Sequence, residues 1–179
     1  VGSASRKVVQ YDVRTGTNVL EYSYHMSAVN SITFFDENRR MATSSDDKKV
    51  LMWEYGAPVP IAYHTDAEMH SIPAMALHPW GDSIAGQSMD NQIVVFHAGE
   101  RTGMNRKKKF TGHVTAGFAC QLDFSPDGSY LVSGDGEGHM WFWEWKSTRV
   151  VKKVDAHARD KPVLGVAWHP LEPSTVASR

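Results

Sequence analysis

The chain has 179 residues, of which 41% are hydrophobic and 22% charged, so it carries enough apolar material for a sizeable core and is not composed like a disordered segment. Its formal charge of -1 leaves no whole-chain field to gather polyanions, so any nucleic-acid contact has to be local. A single cysteine, Cys120, rules out an internal disulfide and a multi-cysteine zinc site, and no apolar run approaches the roughly 20 residues that span a bilayer; a reducing compartment is expected and a membrane is not.

From the N-terminus, VGSASRKVVQYD lacks the apolar segment of a secretory signal and enters a strand-like run, Lys7 to Asp12, read as the end of a unit over residues 1–14. Residues 15–55 read as four short strands, VLEY, VNSITFF, RMATSS and KVLMW. Residues 56–98 repeat the plan with AMALHP, a reversal at WGD, IAGQSMD and IVVFH. Residues 99–110 read as a basic insertion containing NRKKKF, and residues 107–146 as a further unit with LDFSP, DGS, LVSGDGE and MWFWE. A partial unit over 147–179 contains GVAWHP and stops within a strand, so both ends look cut. Pro-Asp-Gly and Pro-Trp-Gly supply the fixed φ and the positive φ of tight turns, which makes the neighbouring runs antiparallel hairpins. No segment shows an amphipathic helical period with caps.

Tyr11, Trp53, Phe96 and Trp143 each close one of these units, at separations of 42, 43 and 47 residues. That is the roughly 40 to 45 residue period of a WD-repeat propeller blade, with the insertion accounting for the long interval. Six residues before each aromatic, in the turn leading into its strand, stand Ser5, Asp47, Asp90 and Glu137. The fold class expected is therefore all-β: a WD-repeat β-propeller fragment of about half a seven-bladed ring, with three full blades plus two partial ones.

In such a blade a leading His, a Ser or Thr in a central strand, the turn Asp and the closing Trp can form a hydrogen-bonded chain. Buried polar groups are tolerated when they satisfy one another, and they then fix strand register. The first full unit offers His25, Thr43, Asp47 and Trp53. The third offers His113, Ser133 and Trp143, with Glu137 in place of the Asp. The second, with Phe96 and no clear His, is expected to rely on packing alone.

The segments DENRRMATSSDDKKVLMWEY, HSIPAMALHPWGDSIAGQSMDNQIVVF, NRKKKFTGH, AGFACQLDFSPDGSYLVSGDGEG and WHP closely resemble the propeller of the pre-mRNA-processing factor 17 family, splicing factors of the second catalytic step. The resemblance runs over nearly the whole chain and includes features outside the repeat, such as QSMDNQI and the basic insertion. It implies a nuclear, non-enzymatic scaffold of the spliceosome whose partners are spliceosomal proteins and spliceosomal RNA or pre-mRNA phosphates. No small-molecule substrate, cofactor or metal is implied. Tyr11 and Ser5 depart from the pattern, standing where a blade of the family would have Trp and Asp.

Arg106, Lys107, Lys108 and Lys109 are four adjacent cations, read as a loop between two units. They can neutralise RNA phosphates or pair with an acidic partner; the plainer reading is a solvated loop whose lysines protect a strand edge. Trp80, in a turn, and Trp145, just beyond a strand, are the tryptophans read as exposed contact residues. The glycine-rich SGDGEGH lacks the helix, the Gly-Lys-Ser/Thr and the carboxylate spacing of a phosphate or calcium loop and reads as a tight turn. His64, His70 and His78 lack metal-ligand spacing, and Cys120 reads as a buried core residue without a catalytic partner. Two alternatives stay open: a substrate receptor of a cullin-type ubiquitin ligase, suggested by Tyr11-Asp12-Val13-Arg14, and a generic WD-repeat adaptor.

Overall fold

In the computed structural model, which describes residues 1–2, 4–158 and 161–179, every described regular element is a β-strand. The chain divides into two compact units, Val1–Ile72 and Pro73–Arg179.

The first unit holds β1 (Val8–Tyr11), β2 (Asn18–Tyr22), β3 (Val29–Phe35), β4 (Arg40–Ser45), β5 (Val50–Glu54) and β6 (Pro60–His64). β1 and β2 form an antiparallel pair, and β3-β4-β5-β6 form a four-stranded antiparallel sheet. The central strand β4, RMATSS, is buried almost throughout because both of its faces are covered, and its small side chains let a neighbouring layer approach closely. Val8 and Tyr22 from the pair and Val29, Met41, Leu51 and Trp53 from the sheet make one core cluster, in which Trp53 is fully buried. Truncating a tryptophan so placed costs about 3–5 kcal/mol.

The second unit holds β7 (Ala74–Leu77), β8 (Ser83–Ser88), β9 (Gln92–His97), β10 (Gly103–Phe110), β11 (Leu122–Phe124), β12 (Tyr130–Gly134), β13 (His139–Glu144), β14 (Val150–Asp155), β15 (Val166–Trp168) and β16 (Val176–Ser178). Its sheets are β7-β8-β9-β10, β11-β12-β13-β14 and the pair β15-β16. The first strands of consecutive sheets, β7, β11 and β15, adjoin one another, which is how blades stack around an axis. Ile93, Val95 and Phe110 of one sheet and Phe124, Leu131 and Trp143 of the next share a core, and a smaller cluster of Val132, Val163 and Val166 joins the β11-β12-β13-β14 sheet to the terminal pair.

The sheets are offset by one strand from the units read in the sequence. VLEY, placed at the head of the unit 15–55, lies in β2 and pairs with β1, while the fourth strand of that sheet is β6, beyond Glu54. The offset follows from the closing aromatic, which sits on the third strand of each sheet, so a repeat counted from one aromatic to the next takes its first strand from the sheet before. A second correction concerns residues 99–110. Residues 99–102 are a loop, but the cations are not in it: Gly103–Phe110 is β10, the outer strand of its sheet, and its register to β9 slips between Asn105, opposite Val95, and Lys109, opposite Val94. Arg106, Lys107 and Lys108 form the bulge.

Candidate partner interface

The polar network of the first unit is continuous. Trp53 Nε1 donates to Thr43 Oγ1 at 2.9 Å, Thr43 lies 2.8 Å from His25 Nε2, and His25 Nδ1 lies 3.0 Å from Asp47 Oδ2. One arrangement of protons serves every atom: the indole gives to the hydroxyl, the hydroxyl to Nε2, and Nδ1–H to the carboxylate. Burial pushes the Asp47 carboxyl up, but the Met26 amide, His25 and the Lys49 amide together outweigh it and hold it below the ordinary range.

His113, Ser133 and Trp143 do not form such a chain. Trp143 Nε1 donates to the Thr111 carbonyl at 3.1 Å, and His113 Nε2 and Ser133 Oγ each donate at 3.0 Å to Oε1 of Gln87, a residue of β8 in the preceding sheet. Gln87 Nε2 in turn donates to the Ser88 carbonyl. The physical reason is the Glu at 137: its side chain is largely exposed, and the acid that enters the sheet is Asp135. Asp135 Oδ1 accepts from the amides of Glu137 and His139, and Oδ2 from His139 Nδ1 and Trp141 Nε1, at 2.7–2.9 Å. Asp135, Glu137 and His139 approach one another as metal ligands would, yet four donors already occupy the Asp135 oxygens, which assigns the carboxylate to fixing the turn. The second blade therefore does not rely on packing alone, as its missing His suggested: Gln87 ties it to its neighbour.

The residues singled out for partner contact divide differently. Trp145 is not an exposed contact residue. It is 8% accessible, stacked on Phe110 at 5.3 Å and on His78 at 4.9 Å, with Phe124 edge-on at 5.0 Å. Its burial comes from side chains of the preceding sheet that no local pattern reveals. Trp80 is 72% exposed on the turn between β7 and β8, its ring edge-on to His78 at 5.1 Å. His78 itself is fully buried: Nδ1 accepts from the Trp80 amide at 3.2 Å, and Nε2 donates to the Gly128 carbonyl at 3.0 Å in the β11–β12 turn.

The bulge in β10 is closed by Asn105, whose Oδ1 accepts from the amides of Lys107 and Lys108, both at 3.2 Å. Lys108 Nζ then lies 3.7 Å above the Trp145 ring, a cation–π contact at a half-buried site. Burial draws the Lys108 ammonium below its ordinary range, with Asp82 opposing. Arg106, Lys107 and Lys109 are exposed on the same strand. Together Trp80, Lys108, Ser129, Tyr130, Trp145 and Lys146 line one open groove of about 610 Å³. The structure thus brings Trp80, Lys108 and Trp145 to a single place, and adds Tyr130 and Lys146, which sequence reasoning misses because neither belongs to a charge run or a repeat signature.

Sixteen short strands among the described residues, in antiparallel sheets with a His–Thr–Trp–Asp chain inside one of them, define a WD-repeat β-propeller protein; the family model described as WD domain, G-beta repeat matches residues 16–54 and 104–144. The chain is 50% identical over 175 residues to pre-mRNA-processing factor 17 of Homo sapiens and 35% identical over 179 residues to that of Saccharomyces cerevisiae, in each case over 98% of its own length. Along nearly all of its length the chain is thus similar to pre-mRNA-processing factor 17. It spans 30% of the human relative's length and 39% of the yeast relative's. WD repeat-containing protein 25 of Mus musculus is 24% identical over 99% of this chain and 34% of its own length.

Proposed function

We propose that this chain is part of the propeller of a nuclear pre-mRNA splicing factor, a non-enzymatic scaffold that holds spliceosomal proteins and RNA around the second catalytic step. The observation that carries this is the 50% identity over 98% of the chain to human pre-mRNA-processing factor 17. The chemistry of the polar groups supports a scaffold. His25, Asp47, His113 and Ser133 are spent on one another and on Gln87 inside the sheets. Burial, with Asp135 adding to it, pushes the Cys120 thiol up to about 11, so it is no nucleophile at neutral pH. The ligase-receptor reading is not favoured: the guanidinium it depends on, that of Arg14, folds back on Asp12 at 3.2 Å, and the relatives are pre-mRNA-processing factors.

The test is affinity purification of the tagged full-length protein from nuclear extract, with sequencing of the RNA that comes with it. Enrichment of spliceosomal small nuclear RNAs and splicing intermediates is expected. Recovery of a cullin adaptor without those RNAs would overturn the proposal.

A further inference from the structure

Trp80 is the most exposed of the groove's aromatics, yet its ring is not free to wander. The backbone beside it is tied at two points, Trp80 N to His78 Nδ1 and Gly81 N to the His78 carbonyl at 2.8 Å, and the ring rests edge-on against His78. A large aromatic held rigid and 72% exposed offers a flat face to a ligand at little cost in ordering. Two cations line the groove with it. Lys108 is pinned over Trp145, Lys146 is exposed next to Trp145 in the chain, and the exposed Arg106, Lys107 and Lys109 continue along β10. One carboxylate, Glu144, also lines the groove and accepts from the Ser147 hydroxyl, and Asp82 acts on Lys108. With the exposed cations of β10 counted, positive charge is in excess here on a chain of net charge -1.

We infer that this groove binds single-stranded RNA, one unpaired base stacking on the Trp80 indole while the flanking phosphates lie along Lys146 and the cations of the β10 bulge. The inference rests on the proposed role in pre-mRNA processing and names the ligand of one site within it. An exposed ring can stack only on a base that is not already stacked in a duplex, which selects single strands. An acidic peptide would use the cations but not the indole face, whose electron-rich π surface disfavours carboxylates. About 610 Å³ lies within the roughly 300–1,000 Å³ of pockets that enclose one small ligand, so the groove takes a base or two rather than a helix.

The experiment measures fluorescence anisotropy of a labelled 12-nucleotide oligouridine with the purified full-length protein over a salt series, alongside a 12-base-pair RNA duplex and a polyglutamate peptide as competitor. Trp80→Ala is expected to weaken oligouridine binding about 5- to 100-fold, with Trp80→Phe restoring most of it. Lys107→Glu with Lys109→Glu is expected to flatten the plot of log affinity against log salt by about 0.7 for each phosphate that is no longer neutralised. Unchanged binding by Trp80→Ala overturns the inference, as does polyglutamate binding that shows the same dependence on Trp80, which would assign the groove to an acidic protein. The two proposals fail separately: wild-type protein that recovers small nuclear RNAs from extract but shows no Trp80-dependent oligouridine binding sinks this inference alone.

Discussion

At the residue scale the molecule depends on buried polar atoms that satisfy one another. Thr43 shows this best, since its hydroxyl serves both Trp53 and His25. Thr43→Val keeps the shape and leaves an indole N–H and an imidazole nitrogen buried without partners. A loss of about 2–3 kcal/mol is expected in chemical denaturation of the full-length protein, with Thr43→Ser recovering most of it. His113 carries a different liability. Its Nε2–H is given to Gln87, while its Nδ1 is buried without a partner among the described residues, so a proton there would have no acceptor. Burial drives its pKa from 6.5 to about 4, against a weaker pull upward from Asp135. Because the folded value lies below the unfolded one, the unfolded chain binds more protons between them. The contribution is fully present above about pH 6.5 and is lost as pH falls toward 4, on the order of 3 kcal/mol in all. His113→Gln is expected to flatten the fall of the unfolding midpoint between pH 6.5 and 4; an unaltered slope would place the titrating group elsewhere. Two glycines in equivalent turns complete the residue picture. Gly81 and Gly128 both have positive φ, but a Cβ on Gly81 meets open space and one on Gly128 would lie 2.6 Å from His78 Cε1. Gly81→Ala therefore costs only backbone strain, about 1 kcal/mol, and Gly128→Ala distinctly more, read as a larger drop in denaturation midpoint.

At the element scale the informative strand is β10. Its lysines are poor strand formers and the repeat spacing has slack there, so the sequence reads it as a loop; pairing with β9 on either side of the bulge makes it a strand. Asn105 is the residue that holds the bulge. Asn105→Ala removes the shared acceptor of the Lys107 and Lys108 amides, and amide exchange at residues 106–108 is expected to quicken while the global denaturation midpoint stays put. What the sequence shows and what it hides separates here by distance along the chain. The strands, their turns and the His25–Thr43–Asp47–Trp53 set are legible because they recur at fixed short offsets. Gln87 is hidden, since its partners His113 and Ser133 stand 26 and 46 residues away and neither repeat marks it. The burial of Trp145 is hidden for the same reason, and Asp135 is missed because counting back from Trp143 points to Glu137, whereas the indole bonded to the turn carboxylate is that of Trp141.

At the scale of the whole molecule, stacked repeats draw stability from themselves and from their immediate neighbours. The two compact units Val1–Ile72 and Pro73–Arg179 are therefore expected to behave as separate blocks in native-state hydrogen exchange. Thr43→Val should speed exchange around Leu51 and Trp53 and leave Val132 and Trp143 unchanged; a uniform acceleration through both would show one cooperative unit instead. This also explains why composition alone carries so little about partners. The net charge is near zero, and the positive patch beside Trp80 arises only when strands from neighbouring sheets come together.

The Gln87 bridge has a bearing on how such a molecule can change over generations. Propellers are built of similar units, and duplication or exchange of one blade for another is the obvious route to new ones. Here the amide that satisfies His113 and Ser133 is lent by the blade before, so a recombination event that imports either blade by itself separates the lender from the borrower and strands buried polar atoms. Two blades joined in this way can be exchanged without that cost only as a couple, and the seam between them is where interchangeable parts are given up.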